Sequence, residues 1–248
     1  MYLFEKHYED LLTEYYTRVF GGKDYNYSRA GKILDDFHIA KTENGSIAFD
    51  LGSGSGFYSI PLAEKGYKVY ATDLNRKLLD EIDTAKYSNI EVINDDILNL
   101  DKYTPSKIEI VTCMTDVISH LNDYTEISML FKKISNNLCD DGIFLFSYRD
   151  QTKAKENEER IIPFFSDDSL IMTSFIDVFD DKLRVFDLLY IKMYDKWINK
   201  KSMYWRLRMY AEKINEILIQ SNFRIERKIT INEMTYILCR KITNNENI

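Results

Sequence analysis

FDLGSGSGFYSI, residues 49–60, places an acid and then a glycine at every second position between two apolar runs. A dinucleotide fingerprint G-x-G-x-x-G begun at Gly52 needs glycine at position 57, where Phe57 stands. Begun at Gly54 it needs glycine at 59, where Ser59 stands. The pattern is therefore G-x-G-x-G, which permits close backbone approach and positive φ without the cradle a pyrophosphate needs. SIAFDL (46–51), preceded by Gly45, reads as a short apolar strand, and Ser55 to Lys65, ended by Gly66, as the helix that follows. A glycine loop between strand and helix is where an open parallel sheet binds its ligand.

The alternation continues. YKVYAT (67–72), IEVI (90–93) and KIEIVTCM (107–114) are strands, NRKLLDEIDTA (75–85) and YTEISMLFKKISNNL (124–138) are helices, and Gly142 opens GIFLFSY (142–148). Upstream, aromatic and apolar residues at helical spacing predict one helix over 1–20, ended by Gly21-Gly22, and a second from Ser28 to about Phe37. After Arg149 the texture changes. QTKAKENEER (151–160) is polar without period, and three β-rich stretches follow at 169–179, 183–194 and 202–210, with Asp180-Asp181 and Asn199-Lys200 as turns. A helix at 211–220 and strands at 223–229 and 234–241 close the chain. The expected fold is α/β: a Rossmann-like, doubly wound, mostly parallel seven-stranded sheet, with an antiparallel β insertion as a lid before the last helix. One domain over 1–248 is expected, made of a helical cap (1–40), a ligand-binding core (45–150), the insertion (165–210) and the final helix and strands (211–242).

Composition narrows the function. The formal charge of −7 argues against a general nucleic-acid binder, and a basic strip of Lys196, Lys200, Lys201, Arg206 and Arg208 reads as a solvated strand face. No run of roughly 18 apolar residues predicts a membrane span, and the acidic start is unlike a secretory signal. Cys113, Cys139 and Cys239 lack disulfide or zinc spacing, and the histidines at 7, 38 and 120 lack metal-ligand spacing, so no metal is expected and the cytoplasm is the expected compartment. The 18 tyrosines and 14 phenylalanines suit an aromatic pocket for a partly apolar ligand, although low-GC codon usage also produces such counts.

Two further strand ends carry acids. Asp73, in YATDLN, comes twenty-one positions after Gly52, a spacing that suits a carboxylate on both ribose hydroxyls. In INDDIL, Asp96 and Ile97 present an acid and an apolar face to an adenine. Asp50 either accepts from a ligand amine or orients the loop.

In these motifs the sequence resembles the class I S-adenosylmethionine-dependent methyltransferases over roughly 29–148. FDLGSGSG corresponds to their first motif, Asp73 to the ribose-binding acid and NDDIL to the adenine edge. TCMTDVISHL (112–121), FLFSYRD (144–150) and RIIPFFSDDSLIMTSFID (160–177), followed by VFDLL (185–189), look like a bacterial subgroup of small-molecule methyltransferases related in layout to glycine/sarcosine N-methyltransferases. Thr115 stands where the usual M-G-D at 114–116 has its glycine, so a differently shaped loop is expected.

The resemblance implies S-adenosylmethionine as cofactor, held by Arg29 (cofactor carboxylate), Asp50, Gly52, Ser53, Gly54, Asp73, Leu74, Asp96, Ile97 and Met114. The acceptor is expected to be a small molecule, methylated at nitrogen by family layout, with His120, Tyr148 and Arg149 as candidate catalytic or acceptor-binding residues. Asp116 and Asp150 lie beside them, and Tyr15 and Tyr16 either pack into the core or close over the sulfonium by cation–π contact. The lid would supply the apolar walls that select the acceptor. No nucleic-acid or membrane partner is expected, and the chain would be a monomer or homodimer. A nucleic-acid amino-methyltransferase would carry Asn/Asp-Pro-Pro-aromatic where TCMTDV stands. A non-catalytic cofactor-binding regulator and an NAD(P)-dependent oxidoreductase are the alternative readings.

Overall fold

The computed structural model describes residues 3–42, 46–103 and 108–242; the expected Gly45 and Lys107 positions lie outside them. Seven strands form the main sheet: β1 (Ile47–Leu51), β2 (Lys68–Thr72), β3 (Ile90–Ile93), β4 (Ile108–Cys113), β5 (Leu138–Arg149), β10 (Phe223–Ile231) and β11 (Met234–Lys241). Their order is β10-β11-β5-β4-β1-β2-β3. β1 to β5 are parallel, and β11 is antiparallel to both β5 and β10. The molecule has the α/β architecture that the alternation implies.

β1, β2 and β4 are buried on both faces for nearly their whole length, which is why they read as continuous rather than alternating apolar runs. Helices α3 (Lys23–Asp36) and α4 (Ser59–Glu64) pack together on one side of the sheet, and α6 (Tyr124–Asn137) and α7 (Ala211–Gln220) on the other. α6 starts at Asp123, whose carboxylate accepts the Thr125 and Glu126 N–H groups at 2.7 and 3.0 Å.

Helix lengths differ from the sequence expectation for local reasons. α4 starts at Ser59 rather than Ser55, because Gly52, Gly54 and Gly56 have φ of 69, 52 and 79° and spend those residues on turns. Gly66 ends it at φ 94°, where a Cβ would lie 2.0 Å from the Thr42 carbonyl oxygen. The helix predicted over 75–85 is only α5 (Arg76–Leu79), capped by Asn75, and turns follow it. The single helix predicted over 1–20 is broken. α1 (Leu3–His7) gives way to a π-helical turn, Tyr8–Leu12, and then α2 (Tyr16–Val19). Thr13 closes the π turn, with both its N–H and its hydroxyl donating to the Tyr8 carbonyl at 2.9 and 2.7 Å.

The insertion has four strands, not three: β6 (Glu159–Ser166), β7 (Leu170–Val178), β8 (Lys182–Met193) and β9 (Lys196–Leu207), paired antiparallel in that order. β6 was hidden by its polar start and by Pro163, which a strand at the sheet edge tolerates. The turn expected at Asn199-Lys200 is instead at Tyr194-Asp195, and Asn199 and Lys200 lie mid-strand. Lys196 to Lys201 are exposed on both faces where the β8–β9 hairpin extends past the core, so their polarity suggested a turn. The expected basic strip divides accordingly: Lys196, Lys200 and Lys201 face solvent, whereas Arg206 turns inward and Arg208 is buried with Nη1 donating to the Phe179 carbonyl at 2.9 Å.

Candidate active site

β1 leads outward to β2 and β3, while β4 returns to the other side of β1, so the strand order reverses between β1 and β4. A cleft opens at the carboxyl ends of these strands, as this topology requires. It holds about 940 Å³ not filled by atoms, counting the part open to solvent.

Four strand ends build it. After β1, the Gly52 and Ser53 N–H groups both donate to the Thr72 carbonyl, at 2.8 and 2.9 Å, folding the glycine loop over the end of β2. A Cβ on Gly52 would come within 2.5 Å of Val117 Cγ2, so this glycine is required by packing as well as by its φ. After β2, the Asp73 carboxylate accepts the Gly54 N–H on Oδ2 and the Asn75 N–H on Oδ1, both at 2.8 Å. Burial pushes its pKa above the ordinary carboxylate value, and these N–H donors oppose the shift. After β3, Asp96 caps the 3₁₀ turn Ile97–Lys102 by accepting the Leu98 N–H at 2.9 Å. Its neighbour Asp95 is held to about 2 chiefly by the Tyr103 hydroxyl at 2.6 Å and does not line the cleft. After β4, Thr115 and Asp116 adopt φ of 58 and 70°. Two consecutive non-glycine residues in the left-handed region cost roughly 1–2 kcal/mol each. The loop is indeed shaped unusually, as the missing glycine implied.

Leu74, Asn75, Leu78 and Ile97 complete one wall; Val117, His120 and Leu121 form the other; and Phe4, Tyr8 and Tyr16 close it from the N-terminal segment. Glycine backbone, a diol-spaced carboxylate and an apolar slot edged by an acid thus follow one another around one cavity. An adenosine carrying an amino-acid chain fits that order of groups. Each Asp73 oxygen keeps a further lone pair for a hydroxyl donor, and no carbon side chain grows from Gly52 or Gly54 into the cavity.

Residues 48–142 match the family model described as a methyltransferase domain. Those residues form a methyltransferase domain. It is 30% identical over 125 residues to a ribosomal protein L11 methyltransferase of Thermoanaerobacter sp. (strain X514), covering 48% of this chain and 37% of that one. The curated relatives it matches are covered over only 37–40% of their length. Among solved structures, an S-adenosylmethionine-dependent methyltransferase from Clostridium acetobutylicum ATCC 824 superposes with TM-score 0.72 at 18% identity, over 97% of this chain and 98% of that one. An amino pentose methyltransferase of calicheamicin biosynthesis from Micromonospora echinaspora, solved with S-adenosylmethionine bound, gives 0.74 at 11% identity over 97% of each chain. At these identities the structures share the fold.

The methyltransferase domain brings Gly52, Gly54, Asp73, Leu74, Asp96, Ile97 and His120 to the cleft wall. Others stand behind it. Asp50 is buried, accepting the Ser59 hydroxyl at 2.6 Å and the Thr112 hydroxyl at 2.7 Å, and burial pushes its pKa up to about 6. Of its two expected roles, the geometry leaves the loop-orienting one. Ser53 is buried with its hydroxyl unpartnered, and Met114 is buried in the core while Thr115 takes the wall. Arg29 is on the outer side of α3, with Nη2 donating to the Tyr236 hydroxyl at 3.2 Å, and it does not reach the cleft. Tyr148 points away altogether. It shares strand parity with Phe144 and Phe146 and is buried with them under α6 and α7, its hydroxyl unpartnered. Arg149, of opposite parity, is partly exposed with Nη1 3.8 Å from Asp116 Oδ2. Tyr16 lines the cleft, while Tyr15 turns outward beneath Lys200.

His120 stacks between Phe4 and Tyr204, at 4.9 and 5.7 Å between ring centroids. Burial, helped by nearby His7, pulls its pKa down to about 4, so the imidazole is neutral at pH 7 with Nδ1 unpartnered. His120, Phe4 and Leu121 also line a second, wider cavity, with about 1210 Å³ not filled by atoms, bordered by Trp205 and Phe179 of the insertion. Sequence reasoning missed Tyr8, Asn75, Val117 and Leu121. The chance to find Tyr8 was its place at the break of an otherwise regular helical pattern, and the other three adjoin motif residues.

Proposed function

We propose that this protein transfers a methyl group to the nitrogen of a small-molecule amine. The observation that carries this reading is the single cleft ringed by Gly52, Gly54, Asp73 and Asp96, joined through His120 to a second cavity. Cap, core, insertion and final helix act as one catalytic unit over 1–248, in the cytoplasm. Bound S-adenosylmethionine supplies a methyl group already activated by its sulfonium charge.

The chain's own residues then have to orient and exclude water. Asp73 accepts the two ribose hydroxyls, and Asp96 with Ile97 meets the adenine edge and face. Leu74 packs below the nucleoside, and the Gly52–Gly54 backbone lets the amino-acid end lie close. Asp50, Ser53 and Met114 hold that loop from behind. Arg149, partly exposed at the end of β5, supplies positive charge for an acceptor carboxylate, a role the outward-turned Arg29 does not share. Tyr148 supports the β5 end from the core. Neutral His120, its Nδ1 unpartnered, is suited to orient the acceptor amine by accepting a hydrogen bond, while its pKa of about 4 makes it too weak a base to take the proton. A sugar N-methyltransferase from Streptoalloteichus sp ATCC 53650 that shares this fold supports nitrogen as the methylated atom.

Isothermal titration with S-adenosylmethionine tests the cofactor reading, and absence of saturable binding overturns it. Turnover of an amine panel, followed as S-adenosylhomocysteine formation, tests the acceptor class. Binding without turnover favours the regulatory alternative.

A further inference from the structure

The insertion sends one charged side chain through to the end of β4. Arg206 of β9 is 13% exposed, and its guanidinium pairs with the Asp116 carboxylate, itself 2% exposed. Arg206 Nε and Nη2 also donate to the Ser119 hydroxyl at 3.0 Å each, and Ser119 donates to the Asp116 carbonyl at 2.8 Å. Burial draws the Arg206 pKa down to about 10, so it remains a cation at neutral pH. Asp116 Oδ1 accepts the Arg149 N–H at 3.2 Å, and the Thr115 N–H donates to the Ser147 hydroxyl at 2.8 Å. Besides bonds local to the loop, the left-handed Thr115-Asp116 pair is held by β5 and by this one arginine of the insertion.

What the arginine holds matters for the cleft. Thr115, Val117, His120 and Leu121 all line it, and Val117 fills the space left by the missing Gly52 side chain. A path of direct contacts runs from Arg206 to Asp116, through Val117, to the glycine loop.

We propose that Arg206 is a positioning residue of the cofactor site: by clamping Asp116 and Ser119 from the insertion it locks the 115–121 loop against the glycine loop, so that docking of the insertion and binding of the cofactor are coupled. The inference rests on the cofactor reading. Without Arg206 the buried Asp116 carboxylate keeps only the more distant, partly exposed Arg149 guanidinium at 3.8 Å as counter-charge, which favours opening of the loop or the insertion to water. Both movements unseat Val117 from Gly52. Coupling of this kind is reciprocal, so the cofactor should in turn steady β9.

The test is titration of S-adenosylhomocysteine into the full chain and its Arg206→Lys and Arg206→Met variants, with amide exchange of β9 measured in parallel. Arg206→Met is expected to bind about tenfold more weakly or worse, and Arg206→Lys to recover most of that loss. S-adenosylhomocysteine should slow exchange across residues 202–207 in the wild type but not in Arg206→Met. A folded Arg206→Met that binds as tightly as wild type overturns the proposal, as does unchanged β9 exchange on binding. If Arg206→Met does not fold, the charge-free pair Asp116→Asn/Arg206→Met takes its place, with the same weakening expected and wild-type affinity overturning the clamp. Failure of the wild type itself to bind overturns the cofactor reading, and the clamp with it; normal wild-type binding beside an unaffected variant removes the clamp alone.

Discussion

The two sheets deliver chemistry in different ways. In the parallel sheet the strands are sealed on both faces, and the useful atoms appear only where the backbone leaves the sheet: Gly52 after β1, Asp73 after β2, Asp96 after β3 and Thr115 after β4. In the antiparallel insertion the chain ends and turns matter little, and the inward side chains of long strands do the work. Asp187 of β8 is buried beside His7, with 3.0 Å between Oδ2 and Nε2, and accepts the Ser174 hydroxyl at 2.5 Å. Tyr204 and Arg206 follow the same parity rule on β9, two residues apart. A parallel sheet therefore writes its site as short contiguous motifs, and an antiparallel one writes it as every second residue of an unremarkable strand.

The sharpest way to break this contrast is to alter a strand end of the core. Gly52→Ala adds a Cβ at φ 69° and 2.5 Å from Val117. Left-handed strain plus overpacking should cost about 3 kcal/mol or more in chemical denaturation and abolish measurable cofactor binding. Wild-type affinity in that variant would show that Val117 and the glycine loop do not interlock.

Acid stability probes where the two sheets meet, because His120 of the core loop is buried against Tyr204 of the insertion. Its pKa lies at about 4 in the folded chain against an ordinary 6.5. Below the ordinary value the unfolded chain takes up a proton that the folded chain refuses. Stability is thus fully present above about pH 6.5 and is lost as the pH falls towards 4, by about 3 kcal/mol in all. Asp50, raised to about 6, acts in the opposite sense, since its carboxylate is costly near neutrality and the cost is relieved on acidification. The His120 contribution is therefore read as the difference between wild type and His120→Phe across this window. Parallel curves would mean that the imidazole is not held neutral.

Asp73→Ala comes next. It removes the acceptor for two backbone N–H groups as well as the proposed ribose contact, and titration should show affinity falling by about 10- to 30-fold, near 2 kcal/mol. A drop in stability with unchanged affinity would make Asp73 a loop brace only.

Legibility in the sequence follows the same division. The parallel sheet and the acids at its strand tips were readable because strand, glycine loop and acid lie within a few residues of one another. Tyr148 shows what that reading overlooks. It is next to a strand tip in sequence, but counting parity back to Phe146 and Phe144 sends it into the core under α6. Arg29 sits at a plausible distance along the chain, yet the rotation of α3 turns it outward to Tyr236. The contribution of Arg206 was unreadable, because nothing local distinguishes it from Lys200 and Lys201 on the same strand. Only the tertiary position of Asp116, ninety residues earlier, makes it inward and paired.

If parity governs the insertion, two adjacent substitutions on β8 should differ although both remove an apolar side chain. Val185 faces the core and is buried, whereas Phe186 faces outward at 38% exposure between Phe175 and Met203. Val185→Thr puts a hydroxyl into an apolar cluster with Leu183 and Tyr204 and should cost about 1 kcal/mol or more. Phe186→Thr keeps strand propensity and gives up only outer-face contacts, among them the Arg184 guanidinium 5.2 Å from its ring centroid, and should shift stability by about 0.5 kcal/mol, less than Val185→Thr, in urea denaturation. Equal losses at the two positions would mean that the outer face of the insertion is itself packed against something in solution, and the account of it as a one-sided sheet would have to be given up.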